Sequence, residues 1–211
     1  MEWLQSNAPV VSAVTSILMV FIWFAYLQLF LMEFMRQRRS SIIIARGAGT
    51  GIQAHCLVGN MGAQPIFIVA IIARMRTPSD DVHVDLTDPK PSDEVDEADI
   101  ARRTRQRPLT PGSYMDGGTF ETALDALNRR RGFTDGHNTQ PATEDGRTNL
   151  EMLVFAVHSA DDNIIAARRD FSVEKRDGDW QLVPQRLSAE QIRSRRERRR
   201  LRREWEKVLI S

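Results

Sequence analysis

Cysteine is nearly absent from this sequence, with one residue among 211. A disulfide scaffold is therefore excluded, and one cysteine cannot by itself make a cysteine-based zinc site. Excess charge of either sign is also missing, because 29 Lys and Arg balance 28 Asp and Glu. That balance excludes a uniformly basic nucleic-acid binder and a uniformly acidic solvating chain. The length fits one soluble domain with at most an accessory segment.

One stretch has no charge at all, the 30 residues from Trp3 to Met32. A helix needs roughly 20 apolar residues to cross a ~30 Å hydrocarbon core. Residues 10–32 contain thirteen Val, Leu, Ile or Phe, which contribute about −4 to −8 kcal/mol to insertion. A cleaved signal peptide would have a basic start and a shorter apolar run. We therefore predict that residues 1–39 form a membrane anchor with a basic flank. The residues expected within the membrane span include Val10, Ile17, Phe21, Leu27 and Leu31.

The residues on either side of the span predict its orientation. Only Glu2 and the α-amino group precede it, whereas Arg36, Arg38 and Arg39 follow it. Cytoplasmic flanks carry the excess of arginine and lysine. The N-terminus is therefore expected outside and the remainder of the chain in the cytoplasm, in a single pass. A second span between residues 47 and 73 is disfavoured by its Gly, Asn and Pro interruptions.

The remainder divides by composition into alternating ordered and polar blocks. Short β-branched runs separated by Gly, Asn and Pro indicate strands, and Asp177 with Gly178 indicates a hairpin. We predict a mainly-β sandwich of immunoglobulin-like type with a long insertion. Its blocks are 40–77, the first half of the β domain; 78–149, a flexible acidic and basic insertion with a short helix near 119–131; 150–187, the second half; and 188–211, an Arg-rich amphipathic helix.

The insertion is predicted to be flexible because it can bury little apolar surface. Nine acidic residues lie between Asp80 and Asp99, and five prolines lie between Thr77 and Pro111. Such a segment does not offset ~1–2 kcal/mol of ordering entropy per residue. Thr119 is the expected cap of its short helix. The predicted core of the domain comprises Ile42, Ile44, Leu57, Ile66, Ile68, Ile71, Leu153, Phe155, Phe171 and Trp180.

Two motifs follow directly on the anchor. Arg46-Gly47-Ala48-Gly49 precedes Cys56-Leu57-Val58-Gly59-Asn60-Met61-Gly62 and then Pro65-Ile66. In this arrangement the chain resembles a group of bacterial single-pass inner-membrane proteins of no known activity. The Cys-x₃-Asn-x₄-Pro spacing also resembles the turn between the second and third strands of immunoglobulin-like domains. The resemblance implies an inner-membrane location and a cytoplasmic immunoglobulin-like domain.

The last block concentrates positive charge. Residues 193–207 hold eight Arg and one Lys against three Glu, and Ser188 with Gln191 matches a capping box that would begin a helix. The block is interpreted either as a helix packed on the β domain, or as a surface for lipid headgroups or an acidic partner. A nucleic acid is not expected, because no aromatic platform or reading-helix motif accompanies the charge. The candidate contact residues are Arg195, Arg196, Arg199, Arg202, Arg203 and Trp205.

No catalytic, cofactor or metal site is predicted. His55 and Cys56 are adjacent in a predicted strand, so their side chains should point to opposite faces. The glycines of residues 47–51 precede a strand, whereas a dinucleotide-binding turn precedes a helix. A turn or bulge is the better interpretation of these glycines.

The favoured hypothesis is a non-catalytic interaction, scaffold or regulatory module tethered to the membrane, with the bilayer and a protein at the membrane as partners. An alternative is an oligomeric small channel or transporter accessory subunit. Ala8, Ser12 and Ser16 recur at four-residue spacing, which permits helix self-association in lipid. An enzyme with an unrecognised site is the remaining alternative.

Overall fold

The computed structural model describes residues 7–37, 41–76, 81–88, 104–132, 147–158, 161–176, 178–192, 194, 196–197, 199–201 and 203. The chain divides into two compact units, Met1–Arg39 and Ser40–Ser211. The first unit holds one long apolar helix, and the second is a mostly-β domain with antiparallel sheets. Both features agree with the sequence prediction.

The helix of the first unit, α1, runs from Ala8 to Gln37. It begins with Pro9 in its first turn, where the missing N–H of proline costs no helical hydrogen bond. Its polar side chains bond to the helix itself: the Thr15 hydroxyl donates to the Val11 carbonyl at 2.8 Å, and Ser16 donates to Ser12 at 2.9 Å. These bonds lower the cost of placing hydroxyls in an apolar environment.

Among its described residues the β domain has ten strands, a 3₁₀ turn at Gly51–Gln53, a helix, α2, at Phe120–Arg130 and a helical C-terminal segment. The strands are β1 Ile42–Arg46, β2 His55–Asn60, β3 Ile66–Arg76, β4 Asp81–Asp85, β5 Arg107–Leu109, β6 Tyr114–Thr119, β7 Arg147–His158, β8 Asp161–Arg176, β9 Asp179–Pro184 and β10 Glu190–Ile192. The short sheet has the order β1-β2-β6. The long sheet has the order β10-β8-β7-β3-β4, with β9 also pairing with β8 and β5 with β3.

Strand β3 carries a β-bulge that allows two strands to share its outer edge. The pairing of β3 with β7 shifts between Ile68 and Ala70, so that Val69 is the extra residue. Before the bulge β3 pairs with β5, and after it β3 pairs with β4. The backbone groups at the shift are satisfied by side chains: Thr87 accepts from the Ile71 N–H at 3.0 Å, and Gln106 donates to the Val69 carbonyl at 3.1 Å.

The stretch 78–149 contributes strands to both sheets, whereas we predicted a flexible insertion with one helix. It contains β4 and β5, which extend the long sheet, and β6, which completes the short one. The turn after β4 is joined to the chain before β5 by a hydrogen bond from the Arg105 N–H to the Thr87 carbonyl at 2.9 Å. The alternation of residues 82–86 predicts a short edge strand, and β4 lies there. Strands β5 and β6 are also short but carry no such pattern, so they were not predicted. Residues 78–80, 89–103 and 133–146 of this stretch lie outside the described residues.

Helix α2 lies where the sequence placed the short helix of this stretch. The Thr119 hydroxyl accepts from the Thr122 N–H at 3.2 Å, as expected for the cap residue. Its buried face is formed by Phe120, Ala123, Leu124 and Leu127.

The main core lies between the two sheets and α2, and residues of all three belong to one buried cluster. Phe120 of α2 meets Phe171 of β8 edge to face, with ring centroids 4.8 Å apart. Eight of the ten predicted core residues are buried, the exceptions being Leu57 and Trp180, which are half-buried. Leu57 lies between the inward-facing Cys56 and Val58 of β2, so strand alternation turns it toward the outer face.

The Asn60 side chain stabilises the turn after β2 by hydrogen bonds. Its side chain is completely buried. The amide nitrogen donates to the carbonyls of Gln64 and Leu109 at 2.8 and 3.0 Å, and the amide oxygen accepts from the Gly62 N–H at 2.9 Å. One side chain therefore forms hydrogen bonds with three backbone groups of different segments.

Replacing Asn60 with alanine is expected to lower the free energy of unfolding by about 2 kcal/mol, because buried backbone groups lose their hydrogen bonds. Urea denaturation of the full-length protein in neutral detergent measures the change. Asn60→Asp keeps the size and the acceptor but loses the amide donors, and we expect it to be destabilised as well. An Asn60→Ala protein as stable as the parent would show that water replaces the amide.

The outer edge of β1 is closed by side chains from the end of the domain. Gln191 accepts from the Ile42 N–H at 3.0 Å and donates to the Ile42 carbonyl at 2.6 Å, and Arg169 donates to the Ile44 carbonyl. Gln191 lies in β10 and not in the first turn of a helix. The capping box predicted for Ser188 and Gln191 is therefore wrong, because the Gln191 side-chain amide bonds to the backbone of Ile42 in β1.

Candidate functional site

Helix α1 is the largest apolar surface that the described residues expose. Within Ala8–Phe34 an 18-residue window has a mean hydropathy of 2.2, and none of that window is buried within the protein. By length and composition the helix can span a membrane. The predicted span residues Val10, Ile17, Phe21, Leu27 and Leu31 are 50–67% exposed. So large an apolar surface requires lipid or a partner to cover it.

The arginines predicted to set the membrane topology lie at the C-terminal end of α1 and directly after it. Arg36 is in the last turn of α1, and its side chain is not among the described parts of the structure. Arg38 and Arg39 lie outside the described residues.

The C-terminal segment packs on the outer face of the long sheet. Its described helical residues are 196–197, 199–201 and 203. Leu201 is buried in a second apolar cluster with Ala70, Ile72, Leu153, Phe155, Ala166 and Ile192. Glu197 lies 3.7 Å from Arg168 of β8. The helix thus begins after β10, later than the predicted residue 188, and one of its apolar side chains faces the sheet.

The candidate contact residues of this segment are only partly described. Arg196, Arg199 and Arg203 are exposed. Arg195, Arg202 and Trp205 lie outside the described residues. The exposed three are spaced i, i+3 and i+7, which places them on one face of a helix. With Leu201 held against the sheet, this face is a basic outer surface of the domain.

Beneath the segment lies a cavity of about 260 Å³. We call it the charged groove, and its lining residues are Arg74, Arg76, Glu151, Arg168, Glu197, Arg200 and Leu201. A second cavity of about 250 Å³ shares Arg76, Glu151 and Arg168 with it and adds Asn149, Asp170 and Gln185. Strands β3, β7 and β8, the residue after β9 and the C-terminal segment contribute side chains to these two cavities.

Two arginines of the charged groove are held in the same way. The Nε atom of Arg74 donates to Asp81 at 2.6 Å, and its Nη2 atom donates to the other carboxylate oxygen. Arg168 forms the equivalent fork with Glu190, at 3.3 and 3.1 Å. Such paired bonds fix the plane of a guanidinium. The Nη1 atoms lie 3.9 Å from Glu151 and 3.7 Å from Glu197, respectively, beyond hydrogen-bond distance.

Glu151 is the most perturbed carboxyl of the groove. Burial raises its pKa above the ordinary value, and the charge of Asp170 raises it further. Asp170 stands directly opposite on β8. Arg74, Arg168 and Arg76 act in the other direction and do not offset these effects.

Glu151→Gln is expected to raise the free energy of unfolding at about pH 7 and to change it little at about pH 4. The folded protein holds the Glu151 proton more tightly than the unfolded chain does. The stabilisation that this gives is complete below the ordinary pKa and is lost as the pH rises through the raised folded pKa. Urea denaturation at the two pH values measures the difference.

Asp170→Asn provides the control for this prediction. Removing its charge lowers the pKa of Glu151 toward the ordinary value, so Glu151→Gln should stabilise less in the Asp170→Asn background. If Glu151→Gln instead destabilises the protein at about pH 7, the attraction between Arg74 and the charged Glu151 carboxylate outweighs the cost of burying that charge.

His55 and Cys56 face opposite sides of β2, as predicted. Cys56 is buried, and burial followed by the charge of Asp116 raises the pKa of its thiol to about 12. The His55 Nδ1 atom lies 2.7 Å from the Asp116 carboxylate on the exposed face. Sequence reasoning missed this pair, because 61 residues separate its members. In the described part of the chain, no cluster of three His, Cys, Asp or Glu could hold a metal ion.

The charged groove was also missed, although the sequence carries a signal of it. Arg74 and Arg76 end the apolar run of β3, and Glu151, Arg168 and Asp170 interrupt apolar positions of β7 and β8. Which of these residues meet depends on the register of three strands. No family model, curated protein or solved structure matches the chain.

Proposed function

We propose that this protein is an interaction module tethered to the bacterial inner membrane, with the β domain on the cytoplasmic side. The observation that carries the proposal is the exposed apolar surface of α1, which is long enough to cross a bilayer. The arginines at positions 36, 38 and 39 favour the cytoplasmic side for the chain that follows. The module acts by binding and not by catalysis.

We also propose that the β domain is immunoglobulin-like. The short sheet has the order β1-β2-β6, and the long sheet contains β8-β7-β3-β4. These orders correspond to A-B-E and to G-F-C-C′ of an immunoglobulin-like sandwich. On this assignment α2 occupies the connection between E and F, while β9 and β10 extend the sheet beyond G.

The basic face of the C-terminal segment is the proposed contact surface. Its exposed arginines Arg196, Arg199 and Arg203 suit an acidic protein partner at the membrane or anionic headgroups. The tether keeps the β domain in the neighbourhood of the bilayer, which raises the effective concentration of any partner located there.

Two measurements test the proposal. A reporter enzyme that is active only in the cytoplasm, fused after Ser211, should be active, and the chain should resist extraction from vesicles by alkaline carbonate.

Crosslinking in native membranes should attach a second protein to the parent and less of it to a protein carrying Arg196→Gln, Arg199→Gln and Arg203→Gln. Reporter activity confined to the periplasm would reverse the orientation, and removal by carbonate would refute the tether.

A further inference from the structure

The chain that follows α1 enters the β domain at one end, which we call the entry end. Ser41 precedes β1 there, and two turns lie beside it, residues 61–65 between β2 and β3 and residues 110–113 between β5 and β6. The Met61 N–H donates to the Ser41 carbonyl at 2.7 Å, and the Gly112 N–H donates to the carbonyl of the last residue of β2 at 2.7 Å. Backbone hydrogen bonds thus hold Ser41 and both turns together as one surface.

Exposed apolar side chains are concentrated at the entry end. Among the described residues of the β domain, the large apolar side chains that are exposed are Met61, Phe67, Tyr114 and Leu187. Met61 lies in the first turn, Phe67 is the second residue of β3 and Tyr114 is the first residue of β6, so three of the four belong to this end. Neither turn contains a charged residue. Such a surface suits an environment that is less polar than water.

The opposite end of the β domain has the reverse character. Six strands begin or end there with a charged residue, namely Arg46, Arg76, Asp81, Arg147, Arg176 and Asp179. The domain is therefore polarised along its strands, and its uncharged turns lie at the end where the chain enters. The connection between β7 and β8 also lies at the entry end, and β8 begins with Asp161 and Asp162. The contact proposed below is therefore assigned to the other two turns.

The length of the connection to α1 limits how far the entry end can lie from a bilayer that α1 spans. Ser41 follows Gln37, the last residue of α1, by four positions. Four residues reach at most about 14 Å. The headgroup region is roughly 5–8 Å thick on each side of the ~30 Å hydrocarbon core. The entry end is therefore within reach of the lipid headgroups.

We propose that the entry end of the β domain binds the headgroup layer of the bilayer, with Met61 and Tyr114 inserted among the lipids. Tyrosine suits this layer because its ring is apolar and its hydroxyl is polar. A lipid surface fits better than a protein partner, because the uncharged turns lie beside the residue that the anchor brings to the membrane. The inference rests on the membrane tether of the proposed function, but it holds for either side of the membrane.

Fluorescence quenching in nanodiscs tests the contact. The full-length protein is labelled with a fluorophore at Ala63→Cys in the first turn or at Gln53→Cys at the opposite end, two exposed positions. The native Cys56 is buried, and the parent protein gives its background labelling. In phosphatidylcholine discs with a nitroxide on the headgroup, the label at position 63 should be quenched and shielded from aqueous iodide, and the label at position 53 should be neither. Equal quenching at the two positions, or none at position 63, would overturn the proposal.

Further variants assign the contact to the named side chains. Met61→Ser with Tyr114→Ser should weaken the contact about tenfold, because two apolar side chains no longer enter the lipid, and quenching at position 63 should fall. Leu187→Ser is the matched control, since it removes an exposed apolar side chain between β9 and β10, away from the entry end. The control should keep the quenching of the parent. Equal effects of the two changes would overturn the proposal, and circular dichroism verifies that each variant retains the fold.

Lipid composition and retention separate this contact from the tether and from the arginines. Quenching at position 63 should be similar in phosphatidylcholine and phosphatidylglycerol discs, because the two turns carry no charge. Quenching in phosphatidylglycerol alone would assign the contact to basic residues and contradict the proposal. A protein that stays with the discs without quenching at position 63 would refute the contact and leave the tether intact, whereas a protein that leaves the discs would refute both.

Discussion

Replacing Phe171 with alanine is expected to lower the free energy of unfolding by about 3–5 kcal/mol, the usual cost of removing a buried phenylalanine ring. Phe171 is fully buried where the long sheet meets α2. Its ring packs edge to face on Phe120, and the Arg169 guanidinium lies 5.4 Å from the ring centroid. The substitution therefore leaves a cavity and removes two aromatic contacts.

Urea denaturation of the full-length protein in neutral detergent measures this effect. The midpoint should fall with little change in slope, because the surface exposed on unfolding stays similar. Phe67→Ala is the matched control, since Phe67 belongs to the same sheet and is 38% exposed. We expect the control to lose less than about 1 kcal/mol. Equal losses in both variants would contradict the position of the core.

Two arginines in the centre of α1 are expected to abolish membrane retention. At about 2.5–3.5 kcal/mol each, Ile17→Arg with Phe21→Arg costs about 5–7 kcal/mol. That cost cancels most of the insertion free energy of about −4 to −8 kcal/mol expected from the apolar side chains. Both positions are more than half exposed on the helix, so neither arginine has a protein partner within the described chain.

The measurement is partition between pellet and supernatant after alkaline carbonate treatment. Most of the double-arginine protein should appear in the supernatant, or be degraded, while the parent stays in the pellet. Ile17→Leu with Phe21→Leu is the control and should behave as the parent, because the span keeps its hydrophobicity. A double-arginine protein that remains in the pellet would mean that something other than the span holds the chain there.

Local patterns in the sequence predicted the elements that depend on local physics. The uncharged run predicted α1, and Thr119 with the apolar face that follows it predicted α2. Asp177 and Gly178 predicted the hairpin between β8 and β9, where Gly178 has a φ of +92°, a conformation that favours glycine.

Features that depend on distant residues were not predicted. The bulge at Val69 is stabilised by Thr87 and Gln106 from a stretch that composition marked as flexible. The Gln191 amide matched a local capping pattern, yet it bonds to Ile42 at the other end of the domain. The charged groove requires the register of β3, β7 and β8, which single-strand patterns do not specify.

The link between Ile42 and Gln191 joins residues 149 positions apart. At synthesis rates of about 5–20 residues per second, the ribosome needs roughly 8–30 s to pass from the first to the second. Throughout that interval the outer edge of β1 has unsatisfied backbone groups, and an exposed edge invites pairing with other nascent chains. The domain thus completes the edge of β1 only after residue 191 has been synthesised, and truncation before residue 191 should yield a product prone to aggregation.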